Sequence, residues 1–108
     1  MIYSVRITRA AAQDLEEIFN WIAEHDSVAK AGHVLDRLAR KAESIAALRR
    51  RGSRPDELPP GMEGEYRQVF FKPYRVIYEI TLNEVVIHLI VDGRRNLQSL
   101  LMRRLLNG

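Results

Sequence analysis

The chain has 108 residues, 46% hydrophobic and 29% charged, with a formal net charge of +3. A chain this short holds one core rather than two, so 1–108 reads as a single domain burying roughly two thirds of its unfolded surface. The absence of cysteine excludes disulfides, thiolate metal sites and a cysteine nucleophile, and no apolar run approaches the ~20 residues that cross a bilayer.

The opening Met-Ile-Tyr-Ser-Val-Arg carries no basic-then-apolar leader, and the expected location is a reducing cytoplasm with no membrane association. Tyr3, Val5 and Ile7 alternate with Ser4 and Arg6, the period of a strand with one buried face. Thr8 can cap a helix in which Ala11, Leu15, Ile18 and Ile22 recur at helical spacing, ending near His25-Asp26, with the carboxylates of that helix read as its solvated face. Ser27 opens a second helix, where Val28, Ala31, Leu35, Leu38, Ala42 and Ile45 step by three and four. The link of two or three residues folds the pair into an antiparallel hairpin. Arg49, Arg50 and Arg51 are expected in its last turn with Gly52 as a left-handed C-cap, a dipole-complementing reading favoured over phosphate binding.

Residues 52–64 hold three of the four prolines and three of the six glycines, which reads as a connector. Three strands follow: Tyr66–Lys72, Tyr74–Leu82 after a turn at Pro73, and Val85–Val91 after Asn83-Glu84. In the middle strand Tyr74, Val76, Tyr78 and Ile80 share the face expected under the helices. In the last strand Val85, Ile87, Leu89 and Val91 form one face and Val86, His88 and Ile90 the other. Apolar on both sides, it belongs at the centre of the sheet, and something must cover its second face. Asn96 caps a closing helix carrying Leu97, Leu100, Leu101 and Leu105, too short to stand without a docking surface. The expected fold is α+β, β-α-α-β-β-β-α, a mainly antiparallel four-stranded sheet packed on one face by the helical hairpin.

Most enzyme constellations are missing. There is no Gly-rich phosphate loop and no Gly-x-Ser-x-Gly, and His25, His33 and His88 lack metal-ligand spacing, so neither metal nor cofactor is expected. His88 reads as a satisfied or half-exposed core histidine. What stands out is basic: 66–108 carries seven arginines and lysines against three carboxylates, a net +4, and fourteen of the chain's seventeen cations are arginine. Guanidinium suits forked contacts with phosphate or carboxylate, although a GC-rich coding sequence gives the same bias. With a three-residue turn at Pro73, Arg67 faces Glu79 and joins Arg75 on the open sheet face. A two-residue turn puts Arg67 opposite Tyr78, under the hairpin, and the first register is favoured because a buried Arg is costly without a partner. Arg67, Arg75, Arg94 and Arg95 then form a candidate surface for RNA phosphate or acidic side chains; the alternative is an Arg67–Glu79 cross-strand pair with solvated loop cations.

The order of elements, with Tyr74-Arg75-Val76-Ile77-Tyr78 in the middle strand, Asp92-Gly93-Arg94-Arg95-Asn96 after the last, and the opening Ile7-Thr8-Arg9-Ala10-Ala11-Ala12-Gln13-Asp14-Leu15, resembles the RelE/ParE toxin superfamily of plasmid stabilisation and type II toxin–antitoxin modules. The likeness covers nearly the whole chain. Its RelE branch implies ribosome-dependent mRNA cleavage, with Arg67, Arg75 and Arg95 matching the basic set. Leu101, however, stands where such nucleases often have a Tyr, Val69 replaces a second sheet cation, and arginine is a poor proton carrier. The ParE branch is the closer resemblance, through the long helical hairpin and the Gly-Arg-Arg-Asn ending. It implies a non-enzymatic poison of DNA gyrase. Either branch implies a cognate antitoxin in a hetero-oligomer, with Arg67, Arg75, Arg94, Arg95, Leu97, Leu100 and Leu101 as target- or antitoxin-binding residues. A non-toxic partner-binding domain of the same fold is the third alternative.

Overall fold

A computed structural model describes residues 3–106. In chain order it comprises β1 (Ser4–Ile7), α1 (Arg9–His25), α2 (Val28–Ala47), β2 (Glu65–Phe71), β3 (Tyr74–Ile80), β4 (Glu84–Asp92) and α3 (Leu97–Leu106). The sheet runs β1-β4-β3-β2, so the doubly apolar strand is central, as its composition predicts. β1 lies parallel to β4, and the other neighbours are antiparallel, making the sheet mixed.

The caps act where the sequence puts them. The Thr8 hydroxyl accepts from the Ala11 amide at 3.1 Å, and the Ser27 hydroxyl accepts from Lys30 at 3.0 Å. Each satisfies one of the orphan donors of a first helical turn, worth about 1 kcal/mol. The helical hairpin presents Ala11, Ile22, Ala31, Val34, Leu38 and Ile45 to Val76, Tyr78, Ile80, Val85, Ile87 and Ile90. The small Ala11 and Ala31, both without exposed surface, let the helices approach closely.

Asn96 caps α3, its side-chain oxygen accepting from the Ser99 amide at 3.3 Å. Leu97 and Leu101 of that helix meet Ile77, Leu89 and Val91 in a second core on the opposite face of the sheet. The sheet is therefore covered on both sides, and the cover that the second face of β4 requires is the chain's own closing helix, which buries Leu97 and Leu101 rather than leaving them for a partner.

Three local expectations are corrected. First, a β-bulge shifts the register between Ile77 and Tyr78, so that Ile77 faces Leu89 while Tyr78 faces Ile87. The strict alternation of β4 fails there: Val85, Ile87 and Ile90 join the hairpin core, while Leu89 and Val91 join the α3 core. One extra residue on the bulged strand reverses the parity of everything after it. Second, the turn between β2 and β3 is the two-residue Lys72-Pro73, pairing Arg67 with Tyr78 and Phe70 with Arg75. Arg67 thus lies on the hairpin side and Arg75 on the α3 side. Third, α2 ends at Ala47, its cap residue Leu48 has ordinary negative φ, and Gly52 is not left-handed. Gly52 is needed for space: a Cβ there would sit 2.3 Å from the Gln68 carbonyl oxygen and 2.7 Å from the Tyr78 hydroxyl. The Arg run beyond the helix is tied down instead, with the Tyr78 hydroxyl donating to the Arg49 carbonyl at 2.6 Å, the Arg49 guanidinium 3.8 Å above the Tyr3 ring, and Arg50 paired with Glu65.

Candidate functional site

The four candidate arginines do not converge. On edge strand β2, the Arg67 Nε donates to Glu65 at 3.1 Å and its Nη1 to the Gly52 carbonyl at 2.6 Å. These partners, Glu65 two positions back on the same strand and Gly52 brought alongside by folding, remove the cost that argued against this register. Burial pushes the Glu65 carboxyl up, but the hydrogen bonds and charges of Arg67 and Arg50 outweigh it and leave its pKa lowered.

Arg75 lies through the sheet from Arg67. Its two terminal nitrogens hold both Glu57 oxygens at 2.9 and 3.0 Å, its Nε donates to Gln68 at 3.0 Å, and its side chain is only 11% exposed. The hydrogen bond from Arg75 holds the Glu57 carboxyl below its usual pKa. Arg94, by contrast, points to solvent from the loop after β4 and clasps Asp92 at 2.9 and 2.6 Å, holding that carboxyl at a pKa of about 2. Arg95 is exposed beside it. Of the candidate leucines, Leu97 and Leu101 are 3% and 0% exposed within the α3 core, and only Leu100 is partly open.

His88 is the half-exposed core histidine the sequence suggests, its Nε2 2.9 Å from Glu79 and its ring 5.8 Å from that of Tyr66. The ionisable groups among the hydrogen-bond partners of Arg67 and Arg75 are the carboxylates of Glu65 and Glu57, with no histidine among them.

A cleft of about 720 Å³ lies between α1 and α3, floored by the end of β4. Trp21, Tyr74, Arg94, Arg95 and Leu100 line it, and Trp21 is 61% exposed. Its floor is a strand edge. β1 pairs with β4 from Glu84 to Ile87, and among the described residues no strand lies beside His88–Asp92 on that side. Two side chains serve that edge: the Asp14 carboxylate accepts from the Ile90 amide at 3.0 Å, and the Arg104 Nη1 donates to the His88 carbonyl at 2.7 Å. Asp14 and Arg104 also bind each other twice, at 2.9 and 3.0 Å, which ties α3 to α1 across the cleft.

Sequence reasoning passed over Asp14, Arg104 and Trp21. Asp14 looks like one more carboxylate of a solvated face, and Arg104 like a helix-end cation. Trp21 gives a signal, since it falls outside the Ala11–Leu15–Ile22 stripe, and a large aromatic off the buried stripe of an amphipathic helix needs another reason to be there.

Residues 5–97 match the family model described as the ParE toxin of the type II toxin–antitoxin system parDE. The chain belongs to the ParE toxin family. It is 32% identical over 97 residues to Toxin ParE3 of Caulobacter vibrioides, spanning 90% of this chain and 93% of that protein. Among solved structures, the chromosomal ParDE system of P. aeruginosa superimposes with a TM-score of 0.70 at 19% identity, covering 84% of this chain and 96% of that one. The RelBE2 toxin–antitoxin complex of Mycobacterium tuberculosis gives 0.63 at 21% identity, covering 85% and 92%. These last two likenesses concern the fold, which the ParE and RelE branches share. The cleft of this ParE-family chain brings together the guanidiniums of Arg94 and Arg95, the exposed Trp21 ring and a strand edge held by Asp14 and Arg104.

Proposed function

We propose that this ParE-family toxin arrests growth in the cytoplasm by binding DNA gyrase and trapping its cleaved DNA complex, and that a cognate antitoxin neutralises it by occupying the α1/α3 cleft. The observation that carries the reading is the dispersal of the arginines. Cleavage of RNA by attack of its 2′-hydroxyl needs charge stabilisation and proton transfer focused on one phosphate. Arg67 and Arg75 sit on opposite faces of the sheet, each engaged by a carboxylate of its own chain. A poison that acts by surface complementarity needs no such convergence.

The cleft supports the antitoxin part of the reading. No strand lies beside β4 beyond Ile87 on this side among the described residues, so an extended segment that took the place of the Asp14 and Arg104 side chains would gain main-chain hydrogen bonds at the Ile90 amide and the His88 carbonyl, and the exposed Trp21 beside it is the residue type that dominates interface energetics. Tyr74 and Leu100 extend the apolar wall, and the charged lining is balanced, with Arg94, Arg95 and Arg104 against Asp14, Glu17 and Asp92.

The test is direct. Expression without the antitoxin should halt growth, and purified protein should make gyrase accumulate cleaved plasmid DNA while mRNA in translating ribosomes stays intact. Ribosome-dependent mRNA cuts with gyrase unaffected would establish an mRNA interferase instead. Harmless overexpression with tight antitoxin binding would establish a non-toxic binding domain. For the cleft, Trp21→Ala should weaken antitoxin binding by roughly tenfold or more, the usual cost of losing an aromatic anchor.

A further inference from the structure

We propose that Arg75 is a carboxylate-reading site on the α3 side of the sheet, that Glu57 of the connector fills it as an internal ligand, and that an acidic segment of a partner protein exchanges with Glu57. The inference does not depend on which macromolecule the toxin poisons.

The two halves of the contact are built differently. Arg75 belongs to β3, in the interior of the sheet. Its guanidinium is oriented without help from Glu57: the Gln68 side-chain oxygen accepts from both Nε and Nη2, and the Phe70 ring lies 5.5 Å away. The stem of the side chain runs against Gly93, where a Cβ would come within 3.1 Å of the Arg75 Cδ. This is a receptor fixed by strand and turn, and a planar fork so held matches a carboxylate in two parallel hydrogen bonds.

Glu57, in contrast, sits on a connector with neither helix nor strand from 54 to 64, and its side chain is 30% exposed. Pro55 and Pro59 are buried on either side, so the two-residue turn of Asp56 and Glu57 is a short, partly exposed span between two anchored residues. Segments held by few backbone hydrogen bonds open at low free-energy cost. The tether gives Glu57 an effective concentration in the millimolar range, so it competes with outside ligands without excluding them.

The connector also indicates what the outside ligand looks like. Pro55-Asp56-Glu57-Leu58-Pro59 is itself an acidic segment flanked by apolar residues, bound to the site in cis. Exchange for a similar segment in trans replaces one carboxylate by another and leaves no donor of Arg75 unpaired. A nucleic acid fits worse, since phosphate tracking needs a row of cations, whereas Arg67 faces the other way and Arg94 is clasped by Asp92.

The test uses the full chain and a fluorescein-labelled peptide copying residues 54–60, read by fluorescence anisotropy. If the internal ligand closes the site in about nine molecules of ten or more, Glu57→Gln should bind the peptide at least about tenfold more tightly than the unaltered chain. Adding Arg75→Lys should erase that gain, because an ammonium lacks the fork. Parallel titrations with inorganic phosphate and poly(U) separate the ligand classes, and an equal gain for either overturns the carboxylate assignment. A folded Glu57→Gln protein that binds the peptide no better, or a gain that survives Arg75→Lys, also overturns it. Should Glu57→Gln fail to fold, the unaltered chain decides: millimolar peptide should shift the Arg75 Nε–H and Glu57 amide resonances together, and unmoved resonances refute the exchange.

Discussion

Replacing Arg104 by Ala should loosen the whole α1/α3 side of the molecule. Arg104 makes three hydrogen bonds, two to Asp14 and one to the His88 carbonyl, and the pair is 19% and 12% exposed. Removing one partner of a fully buried ion pair costs about 3–5 kcal/mol. Here Asp14 retains the Ile90 amide and a cleft opens beside it, so a loss of about 2 kcal/mol is the better figure. For a domain of this size that lowers the melting temperature by roughly 10 °C. The damage should concentrate in α3, a ten-residue helix that is marginal without its dock. Urea denaturation of Arg104→Ala, Asp14→Ala and the double variant should give a coupling energy of about 1 kcal/mol or more, and hydrogen exchange should accelerate at Ile90 and along α3. A melting temperature within about 2 °C of the unaltered protein, with Ile90 exchange unchanged, would refute the idea that these side chains close the edge of β4.

Gly52→Ala should destabilise by about 2–4 kcal/mol, since the new methyl displaces the Gln68 carbonyl or the Tyr78 hydroxyl and strains the bonds that Tyr78 makes to Arg49 and Gly52; an unchanged urea midpoint would refute this. Asp92 has its pKa depressed from 3.8 to about 2, chiefly by the Arg94 side chain and then by the Arg94 backbone amide. A depressed carboxylate stabilises the fold above its unfolded pKa and ceases to as pH falls through the folded one. Arg94→Ala should therefore raise the Asp92 pKa part of the way to 3.8 in a carboxyl-carbon NMR titration, with a stability deficit present above pH 4 and absent below pH 2. A pKa that stays near 2 would refute the Arg94 side chain as the chief cause and assign the depression to the backbone amide and the Arg95 charge.

The two readings of the superfamily part company at the sheet. A nuclease of RelE type would gather Arg67, Arg75 and Arg95 around one phosphate, and a two-residue turn at Lys72-Pro73 puts the first two on opposite faces. The same turn allows Arg67 to reach Glu65 and Gly52, and Arg75 to reach Glu57 and Gln68. Cationic composition in the C-terminal half thus serves internal ion pairing, and of the four candidate arginines Arg94 and Arg95 line the cleft.

Helix starts, their N-caps and the central place of β4 were legible in the chain because each depends on neighbours a few residues away. Thr8 and Ser27 reach amides three positions on, and an apolar stripe or a doubly apolar strand repeats at a fixed local period. The bulge in β4, the register at Lys72-Pro73, the fit of Gly52 under Tyr78, and the links from Asp14 to Arg104 and Glu57 to Arg75 were decided only in three dimensions. Asp14 and Arg104 are ninety positions apart, and no periodicity couples them. Whether an arginine is a free binding group or half of an internal pair depends on which carboxylate folding brings within 3 Å, and that is a property of the packed chain.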